Sequence, residues 1–382
     1  METIYLDNNA TTRPADEVVA AMQPYWREQY GNASSLHRVG QAARHGVEQA
    51  REQVAALIGA RPREIVFTSG GTESDNLAIL GTLAAYPGKR HVVTTAVEHL
   101  AVHSLCKRLE TLGYRVSFLC VDSAGRLDLD RFTETLGPDT ALASIMHANN
   151  ETGVIFPTEQ LAEIAASRGV PLHVDAVQTA GKIPIDAPAL GVSLMSLSAH
   201  KIHGPKGAGA IYVGRGARLI SQLVGGHQER DIRPGTENVA AIVGFGVAAQ
   251  LAKAALATEM ARVAALRDRL ETGLLEQIQF ARIIGDRSRR TPNTTKIGFE
   301  RLSAEAILVA LSERGVCASS GSACSSGSLE PSHVLQAMGI DQAVAHGAVR
   351  FSLSRETTEQ EIDRALEIIP SVARRLAAIA AP

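Results

Sequence analysis

No block of lysine or arginine stands out in this chain, and its 38 basic residues nearly balance its 40 acidic ones. That balance gives no footing for a nucleic-acid groove or an anionic membrane surface, and points to a small-molecule or protein substrate. No apolar run is long enough to span a bilayer, and the start Met1-Glu2-Thr3-Ile4-Tyr5-Leu6-Asp7 lacks the basic head and apolar centre of a signal peptide. A cytoplasmic protein with no membrane and no nucleic-acid partner is the expectation. Cysteine is scarce: Cys106, Cys120, Cys317 and Cys324 have no zinc-knuckle spacing, so no metal site is expected. A cytosolic setting also disfavours structural disulfides, which leaves a reactive thiol as the role open to any cysteine with a task. There is no internal repeat, and the Gly turn at Thr68–Asn76 matches neither the Walker nor the dinucleotide fingerprint.

What is present begins with length. A chain of 382 residues exceeds what one core usually holds, so two unequal lobes are predicted. Strand-like runs at Glu64–Thr68, His91–Thr95, Val116–Leu119, Ala141–His147, Pro171–Asp175, Leu194–Ser198 and Ala210–Val213 alternate with helical segments such as Leu100–Gly113 and Thr158–Gly169. This rhythm predicts an α/β fold with a mainly parallel seven-stranded sheet flanked by helices. A long Ala-rich helix is expected from Asn238 towards Gln279, interrupted only by Gly244, Gly246 and Gly273, and long enough to bridge two domains. Beyond it lie a strand at Thr295–Phe299, a helix around Ser303–Arg314, a Ser/Gly-rich loop at Ala318–Ser328, a strand at Ala348–Leu353 and a final helix from Thr357. The expected division is a large α/β domain over 16–255 and a smaller α+β domain made of 1–15 and 256–382, which carries the Ser/Gly loop with Cys324.

Three motifs carry chemistry. Ser198-Ala199-His200-Lys201 places a lysine just past the carboxyl end of a buried strand, the edge where open α/β sheets bind ligands. A desolvated lysine there can form a Schiff base with an aldehyde, although alone it reads as a solvated loop residue. Thr68-Ser69-Gly70-Gly71-Thr72-Glu73-Ser74-Asp75-Asn76 joins a strand through a Gly turn to a Thr-x-x-Asp helix start resembling a capping box. Free N–H groups at such a start bind phosphate, although an unliganded N-cap has the same sequence. His173-Val174-Asp175 ends a strand with an acid at the same edge, able to keep a pyridine nitrogen protonated or simply to cap the next turn. A phosphate cradle, an acid and a downstream lysine together suit pyridoxal 5'-phosphate.

These residues also carry a family resemblance spanning almost the whole chain, from Leu6-Asp7-Asn8-Asn9-Ala10-Thr11-Thr12 to the last helix. The matching blocks include Gly31-Asn32-Ala33-Ser34-Ser35-Leu36-His37, Val97-Glu98-His99, Ala148-Asn149-Asn150-Glu151-Thr152-Gly153, Arg233-Pro234-Gly235-Thr236-Glu237-Asn238 and Ser320-Gly321-Ser322-Ala323-Cys324-Ser325-Ser326-Gly327. The chain resembles the cysteine desulfurases, class V aminotransferase-type enzymes of PLP fold type I. Gly225-Gly226-His227-Gln228-Glu229-Arg230, the Asp-Asn-Asn start and the short cysteine loop resemble the nitrogen-fixation (NifS-like) branch more than the housekeeping one. The carboxyl end is short beside the housekeeping enzymes, whose tail docks the scaffold.

The resemblance implies a role for each matched residue. Lys201 is expected to hold the cofactor and move a proton, Asp175 to pair with the pyridine nitrogen, Gln178 with the ring hydroxyl, and His99 to stack on the ring. Gly71, Thr72, Ser198 and His200 are expected at the phosphate, with Thr236 arriving from the partner subunit of a homodimer. Arg350 and Asn150 are expected to clamp the carboxylate of L-cysteine, and Asn150 also to touch the cofactor. Cys324 is the implied nucleophile, taking sulfur as a persulfide, releasing alanine, and handing the sulfur to an iron–sulfur scaffold or another acceptor. Lys201, His99 and Cys324 are thus the expected catalytic residues. Cys106 reads as helix packing, Cys120 as a strand end and Cys317 as a buried neighbour of the loop. Three rivals remain open: an aminotransferase, which needs no loop thiol; a selenocysteine lyase, which shares every cofactor residue; and a non-catalytic scaffold, which Lys201, Asp175 and Arg350 argue against.

Overall fold

The computed structural model describes residues 3–321 and 331–380. A two-residue strand, β1 (Ile4–Tyr5), opens the described chain. Seven strands then form one sheet: β2 (Ile65–Thr68), β3 (His91–Thr95), β4 (Arg115–Leu119), β5 (Thr140–Met146), β6 (Leu172–Asp175), β7 (Leu194–Ser198) and β8 (Gly209–Val213). Their order is β2-β8-β7-β6-β5-β3-β4. Neighbours from β4 through β7 pair parallel, and β8 alone runs antiparallel to both of its neighbours. The expected mainly parallel seven-stranded sheet is therefore what the chain forms. Five of the strands, β2, β3, β5, β6 and β7, are buried along their whole length, as strands covered on both faces by helices must be.

After the large sheet come β9 (Ala281–Ile283), β10 (Thr294–Phe299), β11 (Val316–Cys317) and β12 (Ala348–Ser352). β10 lies between β9 and β12, antiparallel to both, and β11 pairs with β1 in parallel. Ile4, Leu6, Ile297, Phe299, Val349 and Phe351 close a core of their own with Leu266, Leu270, Ile362 and Ile369 from two long helices.

The single long helix expected after Asn238 is two. Val239–Ala255 and Glu259–Gln277 meet at a bend of 76°. Ala241, Phe245, Ala248 and Ala252 of the first belong to the core of the large sheet, whereas Val263, Leu266, Leu270 and Leu274 of the second belong to the core around β10. Two cores claim two different faces, and the chain bends at 256–258 to serve both. The three glycines lie inside the helices, where Gly244 and Gly246 pack so tightly that a Cβ would come within 2.7 Å of Met22 or 2.4 Å of Gln53. No single helix among the described residues is long and apolar enough to cross a membrane.

Candidate active site

The carboxyl ends of the parallel strands converge on one cavity of about 560 Å³. Five of the seven strands lead into it. β2 runs into Gly71 and Thr72 at the start of the helix Gly71–Ala85, β3 leads to His99, β5 to Asn150, β6 to Asp175 and β7 to Ser198, His200 and Lys201. Gln178 lies one turn past Asp175, and Arg350 reaches in from β12. Ten of the residues singled out in the sequence thus line one cavity.

Two fall elsewhere. Cys324 lies outside the described residues. Thr236 lines a separate hollow beside Phe67 and Ser69, and not the Lys201 cavity of its own chain.

Locally, the helix start differs from a capping box. Gly70 is the N-cap, Thr72 sits within the first turn, and Asp75 is buried and turned to the cavity. The first N–H groups of a helix have no intrahelical acceptor and carry the positive end of its dipole. Gly71 is required by space, since a Cβ there would stand 2.8 Å from Val177 of the loop after β6. Beside it, Ser198 Oγ is buried with no hydrogen-bond partner among the described residues. His200 is held by Thr11 Oγ1 at 3.2 Å, and burial lowers its pKa to about 4, so its ring is neutral.

His99 caps the helix Leu100–Thr111, its Nδ1 accepting the Ala101 N–H at 3.2 Å. That bond leaves the ring proton on Nε2, and burial lowers the pKa, so the imidazole is neutral. Three acids lie buried nearby. Burial drives Asp75 well up and Glu98 to about 8, favouring their neutral forms. Asp175 is also raised by burial, but Lys201 opposes that rise, and its Oδ1 accepts the Val177 N–H at 2.9 Å. Of the three acids, Asp175 is the one with Lys201 and a backbone N–H placed to favour its charged form.

The site rests on a residue that sequence reasoning passed over as a mere motif member. Asn9 carbonyl accepts Lys201 Nζ at 2.6 Å and Gln178 Nε2 at 3.0 Å, and Asn9 Oδ1 accepts Lys182 Nζ at 3.3 Å and Asn293 Nδ2 at 2.9 Å. Ala10 carbonyl adds a second acceptor for Lys201 at 2.8 Å. Lys182 also donates to Gln178 Oε1 at 2.9 Å, and burial lowers its pKa to about 7. Arg350 is 2% exposed, and donates from Nη1 to Asn150 carbonyl at 2.9 Å and from Nη2 to Asp7 Oδ1 at 2.6 Å. Its Nε has no partner among the described residues. Asp75, Glu151 and His333 also line the cavity; the sequence marks Asp75 only as part of a cap and Glu151 only as a member of a family block, and no spacing marks His333.

The other cysteines lie away from this cavity. Cys106 is buried in its helix with its thiol pushed up to about 12, Cys120 is exposed after β4, and Cys317 is half-buried on β11 rather than buried as expected.

A family model described as aminotransferase class-V matches residues 4–365. A protein from Nostoc sp. named cysteine desulfurase is 53% identical over 99% of this chain and 95% of its own length. This chain belongs to the cysteine desulfurase family. The cysteine desulfurase NifS of Azotobacter vinelandii is 52% identical over 98% of this chain and 94% of its own. A solved NifS-like protein superposes with a TM-score of 0.92 at 39% identity, covering 98% of this chain and 100% of its own. The family depends on pyridoxal phosphate, and its members share the fold type expected from the resemblance. The cavity fits that cofactor on its own terms. A dianion suits the Gly71–Thr72 helix start and the orphaned Ser198 hydroxyl, and a protonated pyridine nitrogen suits the buried Asp175 carboxyl, whose charged form it would favour.

Proposed function

We propose that this chain removes sulfur from L-cysteine, giving L-alanine and a persulfide on Cys324. The observation that carries this reading is the convergence of Lys201, Asp175, His99 and Arg350 on one cavity in a chain of the cysteine desulfurase family. Gly71, Thr72, Ser198, His200 and Lys201 would hold the pyridoxal phosphate, Asp175 would pair with its ring nitrogen, and Gln178, Asn150 and His99 would supply further contacts to it. When bound, the cofactor supplies an electron sink for the bond broken at the substrate Cα.

The protein's own groups do the rest. Arg350 and Asn150 take the substrate carboxylate, for which a guanidinium offers two parallel donors. Lys201 Nζ removes the Cα proton and later returns it, and His99 holds a second proton at Nε2. The Cys324 thiolate attacks the substrate sulfur; the Cβ–S bond breaks with its electron pair left on carbon, and that carbon is protonated. The balance is cysteine plus enzyme thiol to alanine plus enzyme persulfide, with no external oxidant or reductant.

The active unit in this reading is a homodimer in which Thr236 of each subunit completes the phosphate site of the other. Its position outside its own chain's cavity supports that, as do the exposed Trp26, Tyr30, Leu36 and Val224. The work place is the cytoplasm, and the persulfide passes to an iron–sulfur scaffold or another acceptor protein. Incubating the cofactor-loaded protein with cysteine labelled at sulfur tests the reading: alanine and protein-bound label should appear in equal amounts in a single turnover. Consumption of a keto acid without bound label would indicate an aminotransferase, and turnover of selenocysteine alone a selenocysteine lyase.

A further inference from the structure

We propose that Glu151 and Lys296 form a positioning pair that holds both roots of the stretch carrying Cys324 at the rim of the cavity. The proposal rests on Cys324 as the sulfur acceptor. Lys296 lies on β10 directly opposite Arg350 of β12, and is fully buried. Its Nζ donates to Glu151 Oε2 and, at 2.7 Å, to the carbonyl of Ser320. The same carboxylate oxygen accepts the hydroxyl of Ser332 at 2.9 Å. Ser320 and Ser332 flank residues 321–331, so the pair holds both roots of that stretch, Glu151 one directly and Lys296 the other.

The pair is also wired to the proposed substrate clamp. Ser319 carbonyl accepts the Arg350 N–H at 2.6 Å, and Asn150, next to Glu151, gives its carbonyl to the Arg350 guanidinium. Glu151 itself lines the cavity. Gly321 fits against the pair with φ +98°, and a Cβ there would stand 2.7 Å from both Glu151 Oε2 and Lys296 Nζ. A buried ion pair is often replaceable by apolar side chains without loss of stability, so what this one contributes is geometry. Sulfur-on-sulfur attack needs the nucleophile aligned with the bond it breaks, and a misplaced root costs rate rather than substrate affinity.

The test uses the cofactor-loaded dimer or monomer as purified. The double variant Lys296→Met with Glu151→Gln removes both charges together, leaving neither buried alone. It should lower kcat for alanine formation at least tenfold while KM for cysteine and the cofactor absorbance stay within twofold of wild type. The rate of Cys324 alkylation by iodoacetamide, followed on its peptide by mass spectrometry, should change at least threefold. Lys296→Arg should retain more kcat than Lys296→Met. Should the double variant fail to fold, Gly321→Ala, which pushes a Cβ into the pair, should give the same split. Wild-type kcat and alkylation in a folded variant overturn the proposal, as does a rise in KM at constant kcat, which would assign the pair to the grip of Arg350 on substrate. Cys324→Ala in parallel separates the two readings: if it forms alanine normally the desulfurase reading fails, and if it is inactive while the pair variants are normal only the positioning role fails.

Discussion

At the helix-start side of the cavity, the Ser198 hydroxyl has no partner among the described residues and the first N–H groups of Gly71–Ala85 point outward, whereas on the β12 side Arg350 is already held by Asp7 and Asn150. The first arrangement has donors standing ready for a resident anion. In the second, Nη1 and Nη2 are taken and Nε has no partner among the described residues, so a carboxylate gripped by two parallel donors must displace the one Asp7 supplies. A cofactor that stays and a substrate that turns over ask for just these two constructions.

The largest effect should come from the residue between them. Lys201→Ala is expected to abolish the visible absorption of the lysine-bound cofactor and to lower alanine release by roughly 10³-fold, the scale of a lost proton-transfer group. An unchanged, borohydride-reducible adduct in that variant would remove Lys201 from its role. Arg350→Ala should raise KM for cysteine by roughly 10²-fold, since hydrogen bonds to charged groups contribute ~1.5–3 kcal/mol, and should leave cofactor affinity near wild type. Ser198→Ala should show the reverse pattern, weakening pyridoxal phosphate binding about tenfold with KM little moved. If both variants shift both constants equally, the two sides are not the separate devices described here.

The smallest effect is on stability with pH. Burial holds His147, His91, His200 and His203 near a pKa of about 4 and His173 near about 3. Between about pH 4 and 6.5 the unfolded chain binds protons that these folded imidazoles refuse, so each contributes stability that is lost as pH falls through that window. Asp75, Glu98 and Asp175, raised by burial, act in the opposite sense above their unfolded values and offset part of the loss. The melting midpoint should therefore fall modestly from pH 6.5 to 4.5, by calorimetry. His173→Gln should flatten the slope if the account of the buried imidazoles holds.

Much of this was legible in the sequence because it is written locally. The strands of the sheet are short β-branched and apolar runs, and those at His91–Thr95 and Leu194–Ser198 have the bounds their sequence predicts. Lys201, Asp175 and Gly71 could be placed at one sheet edge because each follows a strand directly. The bend at 256–258 could not, because Ala-rich sequence favours helix throughout and the choice between two cores is made by tertiary packing. Thr72-x-x-Asp75 misled for a related reason: the turn chemistry suits a cap, but the cavity claims Asp75. Asn9 and the Glu151–Lys296 pair were invisible, since their partners lie more than a hundred residues away and no periodicity links them.

The role of Cys324, outside the described residues, decides the central claim. Cys324→Ala should still load pyridoxal phosphate and bind cysteine, because the groups proposed for both lie elsewhere in the chain. Given cysteine labelled at sulfur, it should form almost no alanine and no protein-bound persulfide, whereas alanine replacements of Cys106, Cys120 or Cys317 should leave both nearly intact. Alanine release by Cys324→Ala at the wild-type rate would contradict the account, and sulfur would then have to leave for an acceptor other than this thiol.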